Sequence, residues 1–287
     1  MSTSAVYARR FVSLVKLEHT VFALPYAYAG AILAERGGVP SAQTLGWITL
    51  AMVGARSLAM ALNRLIDAEI DARNPRTAAR ELPAGLLSRA QVLGFSAASL
   101  ALFLIAVWQL PPLTHVLWPI PVAGFVIYPY LKRFTWLCHA GLGAVDGLAP
   151  LGGWVAVTNS LPLEPWLLGG AVALWIGGFD IIYATMDLEI DRREGLHSIP
   201  RRFGVGAALR ITRGAHLTSV VLLVWLGLAL SLGPAYWLGV AVVAGLLAYE
   251  NSIVHEHDLS RVNLAFLTMN GVIALVFLAG VLADALA

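Results

Sequence analysis

Residues 43–71 read QTLGWITLAMVGARSLAMALNRLIDAEID. From Gln43 to Asn63 the only charge is Arg56, and the run is long enough to cross a hydrocarbon layer about 30 Å thick at about 1.5 Å per helical residue. Its end then changes character within one turn. Asn63, Asp67 and Asp71 stand at i, i+4 and i+8, so a helix places them on one stripe. Arg73, Asn74, Arg76, Thr77 and Arg80 follow. Two carboxylates on one stripe repel each other, and close to a bilayer they need a cation or a basic partner. This stretch predicts a membrane-spanning helix that delivers acids to one end.

Working outward, further apolar runs lie near 17–34, 90–109, 114–131, 137–158, 165–184, 215–232, 234–249 and 264–284. They are continuous rather than alternating, which argues against transmembrane strands. The expected fold class is therefore an all-α integral membrane protein of about nine transmembrane helices, with residues 1–287 forming one domain. Pro119, Pro121 and Pro129 fall within 114–131, so that helix is expected to be kinked or broken. Composition agrees with this class. Of 287 residues 59% are hydrophobic and 13% charged, against about 25% charged in a globular protein, and the mean hydropathy is +0.76. A soluble enzyme, a disordered chain and a nucleic-acid binder are excluded. The single cysteine, Cys138, excludes a disulfide framework within one chain. Arg9 and Arg10 before the first run suggest a signal peptide, but Lys16, Glu18 and His19 interrupt it, and a retained first helix reads better.

With nine spans the connections alternate sides, and the charges sort with them. Seventeen of the 19 Lys and Arg residues, from Arg9, Arg10 and Lys16 through Arg64, Arg133 and Arg193 to Arg261, fall on one face. Only Arg36 lies in the other side's loops, and Arg56 is inside a span. By the positive-inside rule the basic face is cytoplasmic, as in a protein of a prokaryotic inner or plasma membrane.

The acidic stripe recurs. Asp180 is followed by Tyr183, Asp187 and Asp191, again at i, i+4 and i+8, and then by Arg192 and Arg193. Asp67 to Asp187 and Asp71 to Asp191 are both offsets of 120 residues, and Asp-x-Glu-x-Asp stands in both copies. Four spans separate the motifs, at 63–85 and 180–204, so both emerge on the same face. A single copy reads equally well as a solvated helix end whose acids pair with nearby arginines. Two opposed copies suit Mg²⁺ around a diphosphate, because carboxylate and amide oxygens are hard ligands and arginines bind the remaining phosphate oxygens.

Asn63-x-x-x-Asp67-x-x-x-Asp71 with Arg76 and Arg80-x-x-Pro83-x-Gly85 resembles the first signature of the UbiA superfamily of intramembrane prenyltransferases. Asp180-x-x-Tyr183-Ala184-x-x-Asp187-x-x-x-Asp191 resembles the second, and Tyr128-x-x-x-Lys132-Arg133 a third element. The resemblance covers essentially the whole chain. It implies a helical bundle around a central cavity open to lipid, and Mg²⁺-dependent transfer of a prenyl group from its diphosphate to an acceptor. Mapped onto this chain, it implies metal binding by Asn63, Asp67, Asp71, Asp187 and Asp191. Arg76, Arg80, Lys132 and Arg133 would take the diphosphate, and the acids with Lys132 would serve catalysis. Arg56, Tyr128, Asp180 and Tyr183 would face the acceptor.

Arg56 precedes Asn63 by 7 residues and Asp67 by 11, on the same helical face but deeper. It suits the carboxylate of an aromatic acceptor. The plainer reading is a snorkelling or internally paired arginine, with Asp146 as partner. The run Glu250, His255, Glu256, His257 and Asp258 reads as an exposed polar loop rather than a metal cluster. Details around Arg133–His139 and Gly195–Pro200 resemble the quinone-pathway branch, whose acceptors are 4-hydroxybenzoate or, for menaquinone, 1,4-dihydroxy-6-naphthoate. Haem, chlorophyllide and lipid acceptors fit less well. CDP-alcohol phosphotransferases carry one compact aspartate block instead of two, and an ion-coupled transporter would place its acids near the midplane. Donor length, metal count and oligomeric state are left open by these patterns.

Overall fold

The computed structural model describes residues 10–11, 13–14, 17–262 and 269–287, of which 17–22 by backbone alone. Arg9, Lys16 and residues 264–268 of the last apolar run lie outside the described residues, as do the side chains of Glu18 and His19. The described residues contain helices and no strand. The helices are α1 (Leu17–Glu35), α2 (Ala42–Arg73), α3 (Arg89–Val107), α4 (Pro112–Leu117), α5 (Pro119–Leu131), α6 (Cys138–Asp146), α7 (Leu148–Thr158), α8 (Leu163–Ala184), α9 (Leu188–Glu194), α10 (Ile199–Phe203), α11 (Val205–Ala229), α12 (Pro234–Ile253) and α13 (Asn270–Ala285).

Among the described residues, six stretches are long and apolar enough to cross a membrane: Ala42–Arg73, Arg89–Val107, Cys138–Thr158, Leu163–Glu194, Val205–Ala229 and Pro234–Ile253. The other three expected runs coincide with α1, a helix of 19 residues with Pro25 inside it, with α4 plus α5, which are interrupted, and with α13, which has 16 residues. The break between α4 and α5 falls at Trp118–Pro119, as the prolines of that run predict. A second break, at Gly147, divides the expected helix 137–158 into α6 and α7. Pro150 lacks the N–H that would bond the carbonyl of Asp146, so the helical ladder stops there.

α2 begins at Ser41, whose hydroxyl accepts from the Thr44 amide at 3.1 Å. Its 32 residues make it about 48 Å long at about 1.5 Å per residue, well beyond a hydrocarbon layer of about 30 Å. The excess carries Asn63–Asp71 past the apolar zone. α8 is the central helix: 61% of its apolar window is buried, against 33–44% for the other five. Elsewhere small residues let helices touch. A Cβ on Gly153 of α7 would overlap the Ala27 backbone of α1, and one on Gly143 the Ala173 backbone of α8. The outer surface is apolar, with Val116, Ile105, Leu217, Leu228 and Leu238 all more than half exposed. Such a surface requires lipid, and the chain is an integral membrane protein.

Candidate active site

The end of α2, the α5–α6 junction, the α8–α9 junction and the loops after α2 and α9 enclose a polar chamber of 340 Å³. Both acidic motifs line it. Asp67 is 2% exposed; its Oδ2 accepts from Asn63 Nδ2 at 3.1 Å and from Lys132 Nζ at 2.6 Å. Its Oδ1 is buried and accepts no hydrogen bond, with Arg133 Nη2 at 3.5 Å. Both oxygens of Asp71 accept from Arg80 Nη1 at 2.8 Å.

Across the chamber, Asp187 accepts a fork from Arg76, Nε at 3.1 Å and Nη2 at 2.5 Å, and a third bond from Asn74 Nδ2 at 3.0 Å. Arg76 also donates to the Tyr183 hydroxyl at 2.6 Å and lies over that ring. Burial pulls the Arg76 pKa down, but the hydrogen bond and charge of Asp187 more than offset it and hold it above its ordinary value. Asp191 accepts from Ser198 Oγ at 2.6 Å.

The i, i+4, i+8 stripe expected for the second motif is not one continuous α-helix. Thr185–Asp187 form a 3-10 turn between α8 and α9. The cause is local, since Thr185 Oγ1 donates to the Ile182 carbonyl at 2.6 Å and tightens the helix there. Tyr183, Asp187 and Asp191 still line the same chamber.

Asp180 faces the chamber one level deeper. The Ile199 amide donates to His139 Nε2 at 3.3 Å, which makes that nitrogen the acceptor and leaves Nδ1–H to donate to Asp180 Oδ2 at 2.7 Å. His139 is 3% exposed. Asp180 Oδ1 accepts no hydrogen bond among the described residues. Deeper still, Arg56 Nη1 pairs with Asp146 Oδ1 at 3.4 Å, and Arg56 Nε is buried without a partner. The internally paired reading of Arg56 is thus realised in this structure. Arg56, Asp146, Tyr128, Leu142 and Ala23 also border a second cavity of 410 Å³, whose remaining walls are almost wholly apolar, with Phe103, Phe125 and Trp166 among them.

Of the residues picked from sequence, Arg56, Asn63, Asp67, Asp71, Arg76, Arg80, Tyr128, Lys132, Asp180, Tyr183, Asp187 and Asp191 all line the chamber. Arg133 does not. It turns back to donate to the Ile66 carbonyl at 2.6 Å and stacks over Tyr130, so it braces the α5 end against α2. Glu250 does not share an exposed loop with His255 and His257 as expected; it is fully buried in α12. Arg64, counted with the basic face at the end of the second span, is buried inside α2. Sequence reasoning missed His139 and Asn74 as site residues. His139 pairs with an acid 41 positions away, and no periodicity links the two.

The four motif acids offer hard oxygens from two walls of one chamber, and Asp67 Oδ1 is an unsatisfied ligand atom, so the donor set fits Mg²⁺. Among the described residues no three His, Cys, Asp or Glu side chains are gathered closely enough to hold an ion as they stand. The reason is that basic residues and Ser198 take up the carboxylates instead.

Residues 23–279 match the UbiA prenyltransferase family. The chain belongs to that family. It is 31% identical over 282 residues to the 4-hydroxybenzoate octaprenyltransferase of Vibrio cholerae, covering 97% of this chain and 98% of that protein. It is 34% identical over 224 residues to the 4-hydroxybenzoate solanesyltransferase of Synechocystis, covering 77% and 75%. The structure of a UbiA homologue from Aeropyrum pernix K1 superposes with a TM-score of 0.85 at 33% identity, covering 93% and 98% of the two chains. A UbiA homologue from Archaeoglobus fulgidus bound to DMAPP and Mg²⁺ shares the fold, with a TM-score of 0.72 at 20% identity over 96% and 98%. This UbiA-family chain is therefore a membrane-embedded prenyltransferase.

Proposed function

We propose that the chain transfers a polyprenyl group from a polyprenyl diphosphate to a hydroxylated aromatic carboxylate in quinone biosynthesis, 4-hydroxybenzoate or 1,4-dihydroxy-6-naphthoate. The observation that carries this reading is the pairing of two compartments. A chamber with facing acids and cations shares a wall, formed by Arg56, Tyr128 and Asp146, with an apolar cavity suited to the start of a prenyl tail. The curated relatives act on 4-hydroxybenzoate by their names, which supports the acceptor class.

Bound Mg²⁺, held by Asn63, Asp67, Asp71, Asp187 and Asp191, would supply Lewis-acid neutralisation of the departing diphosphate. Arg76, Arg80 and Lys132 exchange their carboxylates for diphosphate oxygens as the donor seats. The C–O bond of the prenyl diphosphate breaks with its electron pair leaving on diphosphate. A ring carbon beside the acceptor hydroxyl forms the new C–C bond and then loses its proton to a chamber carboxylate such as Asp191. Asp180 Oδ1, which His139 aims by holding the other oxygen, accepts the hydrogen bond of that hydroxyl and draws electron density into the ring. The Tyr128 and Tyr183 rings shelter the developing allylic cation, and the apolar walls exclude water that would quench it. Arg56 offers its unpaired Nε edge to the acceptor carboxylate.

The arrangement in the membrane follows from the same reading: nine spans, the chamber at the cytoplasmic face, and a lateral opening of the apolar cavity to lipid. The deciding assay incubates the full chain in lipid nanodiscs with Mg²⁺, a prenyl diphosphate and each aromatic acid. C-prenylated acid and an equal amount of inorganic diphosphate are expected. Diphosphate release with neither acid prenylated would overturn the acceptor class.

A further inference from the structure

Arg64 follows Asn63 on α2, faces the polar chamber and is only 5% exposed. Every other Lys or Arg on the chamber wall is committed to an acid: Arg56 to Asp146, Arg76 to Asp187, Arg80 to Asp71 and Lys132 to Asp67. Arg64 makes no hydrogen bond and no ion pair among the described residues, and its Nε is buried without a partner. Asp71 and Glu81 act on it only through space, and Asp71 gives both oxygens to Arg80. On α2 it stands three residues before Asp67 and seven before Asp71, and so shares their face.

A buried guanidinium with nothing to hold is costly, and a protein gains nothing from one unless a ligand completes it. The guanidinium fork matches phosphate oxygens in plane and spacing. We propose that Arg64 is a further diphosphate-binding residue, the cation that meets the donor's diphosphate without first releasing a carboxylate. This rests on the reading of the chamber as a prenyl diphosphate site. Arg76, Arg80 and Lys132 must give up an acid to engage, whereas Arg64 is ready beforehand. It serves to capture the donor, and the other cations complete the grip.

The test needs no turnover. Full-length protein in nanodiscs is titrated with inorganic diphosphate in the presence of Mg²⁺, and its melting is followed with and without that ligand. Arg64→Met is expected to melt no lower than the parent when empty, because an unpaired buried charge is gone. It should bind diphosphate about 10- to 100-fold more weakly, the loss expected for a charge-assisted hydrogen bond. Arg64→Lys should fall between, keeping charge without the fork. In turnover, KM for the prenyl donor should rise while KM for the acceptor holds. Equal diphosphate affinity in all three proteins would overturn the proposal. So would an Arg64→Met chain that fails to fold or melts well below the parent, since the guanidinium would then be a structural element. If the parent itself binds no diphosphate while prenylation persists, the proposal falls and the prenyltransferase reading stands. If neither binding nor prenylation occurs, the reading of the chamber falls first.

Discussion

Asp67 and Asp187 lie on opposite walls of the chamber, and each is held by a cation from another part of the chain, Lys132 and Arg76. Those contacts give each acid a counter-charge that can turn to an incoming diphosphate. Asp67→Asn and Asp187→Asn should each reduce prenyl transfer by at least about a hundredfold, in the range for lost electrostatic stabilisation, while the protein still inserts and folds. Near-normal turnover at saturating Mg²⁺ in either variant would remove the metal assignment. The proposed role of Arg56 concerns a different substrate. Its deeper position and unpaired Nε lead us to expect that Arg56→Ala raises KM for the aromatic acid about 10- to 150-fold, from about 1.5–3 kcal/mol per charged hydrogen bond. Arg56→Lys should be nearly as poor, because the planar fork is lost, and KM for the donor should move little. Donor binding that collapses while the acceptor term stays put would place Arg56 with the diphosphate instead.

At the scale of elements, two breaks in long helices put the chemistry where it is. The 3-10 turn at Thr185–Asp187 swings the second acidic motif, and the stop at Asp146 before Pro150 leaves that carboxylate opposite Arg56. α7 must stay close to α1 for the second of these to hold. Gly153→Ala puts a Cβ into the Ala27 backbone and should lower the melting temperature, at a cost of about 1–3 kcal/mol. Gly152→Ala, one residue earlier and facing open space, should leave it unchanged. Equal melting of both variants would show that the α1–α7 contact yields freely. The all-helical membrane fold and both acidic motifs were legible because apolar length and a spacing of four are local signals. The proline break at Trp118–Pro119 was legible for the same reason. The pairs His139–Asp180 and Ser198–Asp191, and the burial of Arg64, were not. Each depends on which helix packs against which, and an arginine buried in a chamber reads in sequence like one in a solvated loop.

For the whole molecule, the proposed topology makes a direct claim about sides. Single cysteines placed in a Cys138→Ala background within 72–88, 192–209 and 250–262 should all be modified by an impermeant reagent applied from the cytoplasmic face. One of them reacting only from the opposite face would separate the two acidic motifs across the membrane and undo the shared chamber.

The apolar cavity has a size as well as a lining. At about 30 Å³ for a carbon with its hydrogens, close to the share of a water molecule in the liquid, its 410 Å³ holds about fourteen carbons. That is under three isoprene units. On the proposed reading, the rest of a long tail would lie among the acyl chains, with the protein gripping the head of the donor and the bilayer dissolving the remainder. kcat/KM should climb as the donor grows to about three units and then level off; a continued steep rise to longer donors would show a longer groove. Such an enzyme would measure no lengths. The side chain of its product is decided upstream, by whichever polyprenyl diphosphate the chain-elongating reaction releases into the membrane.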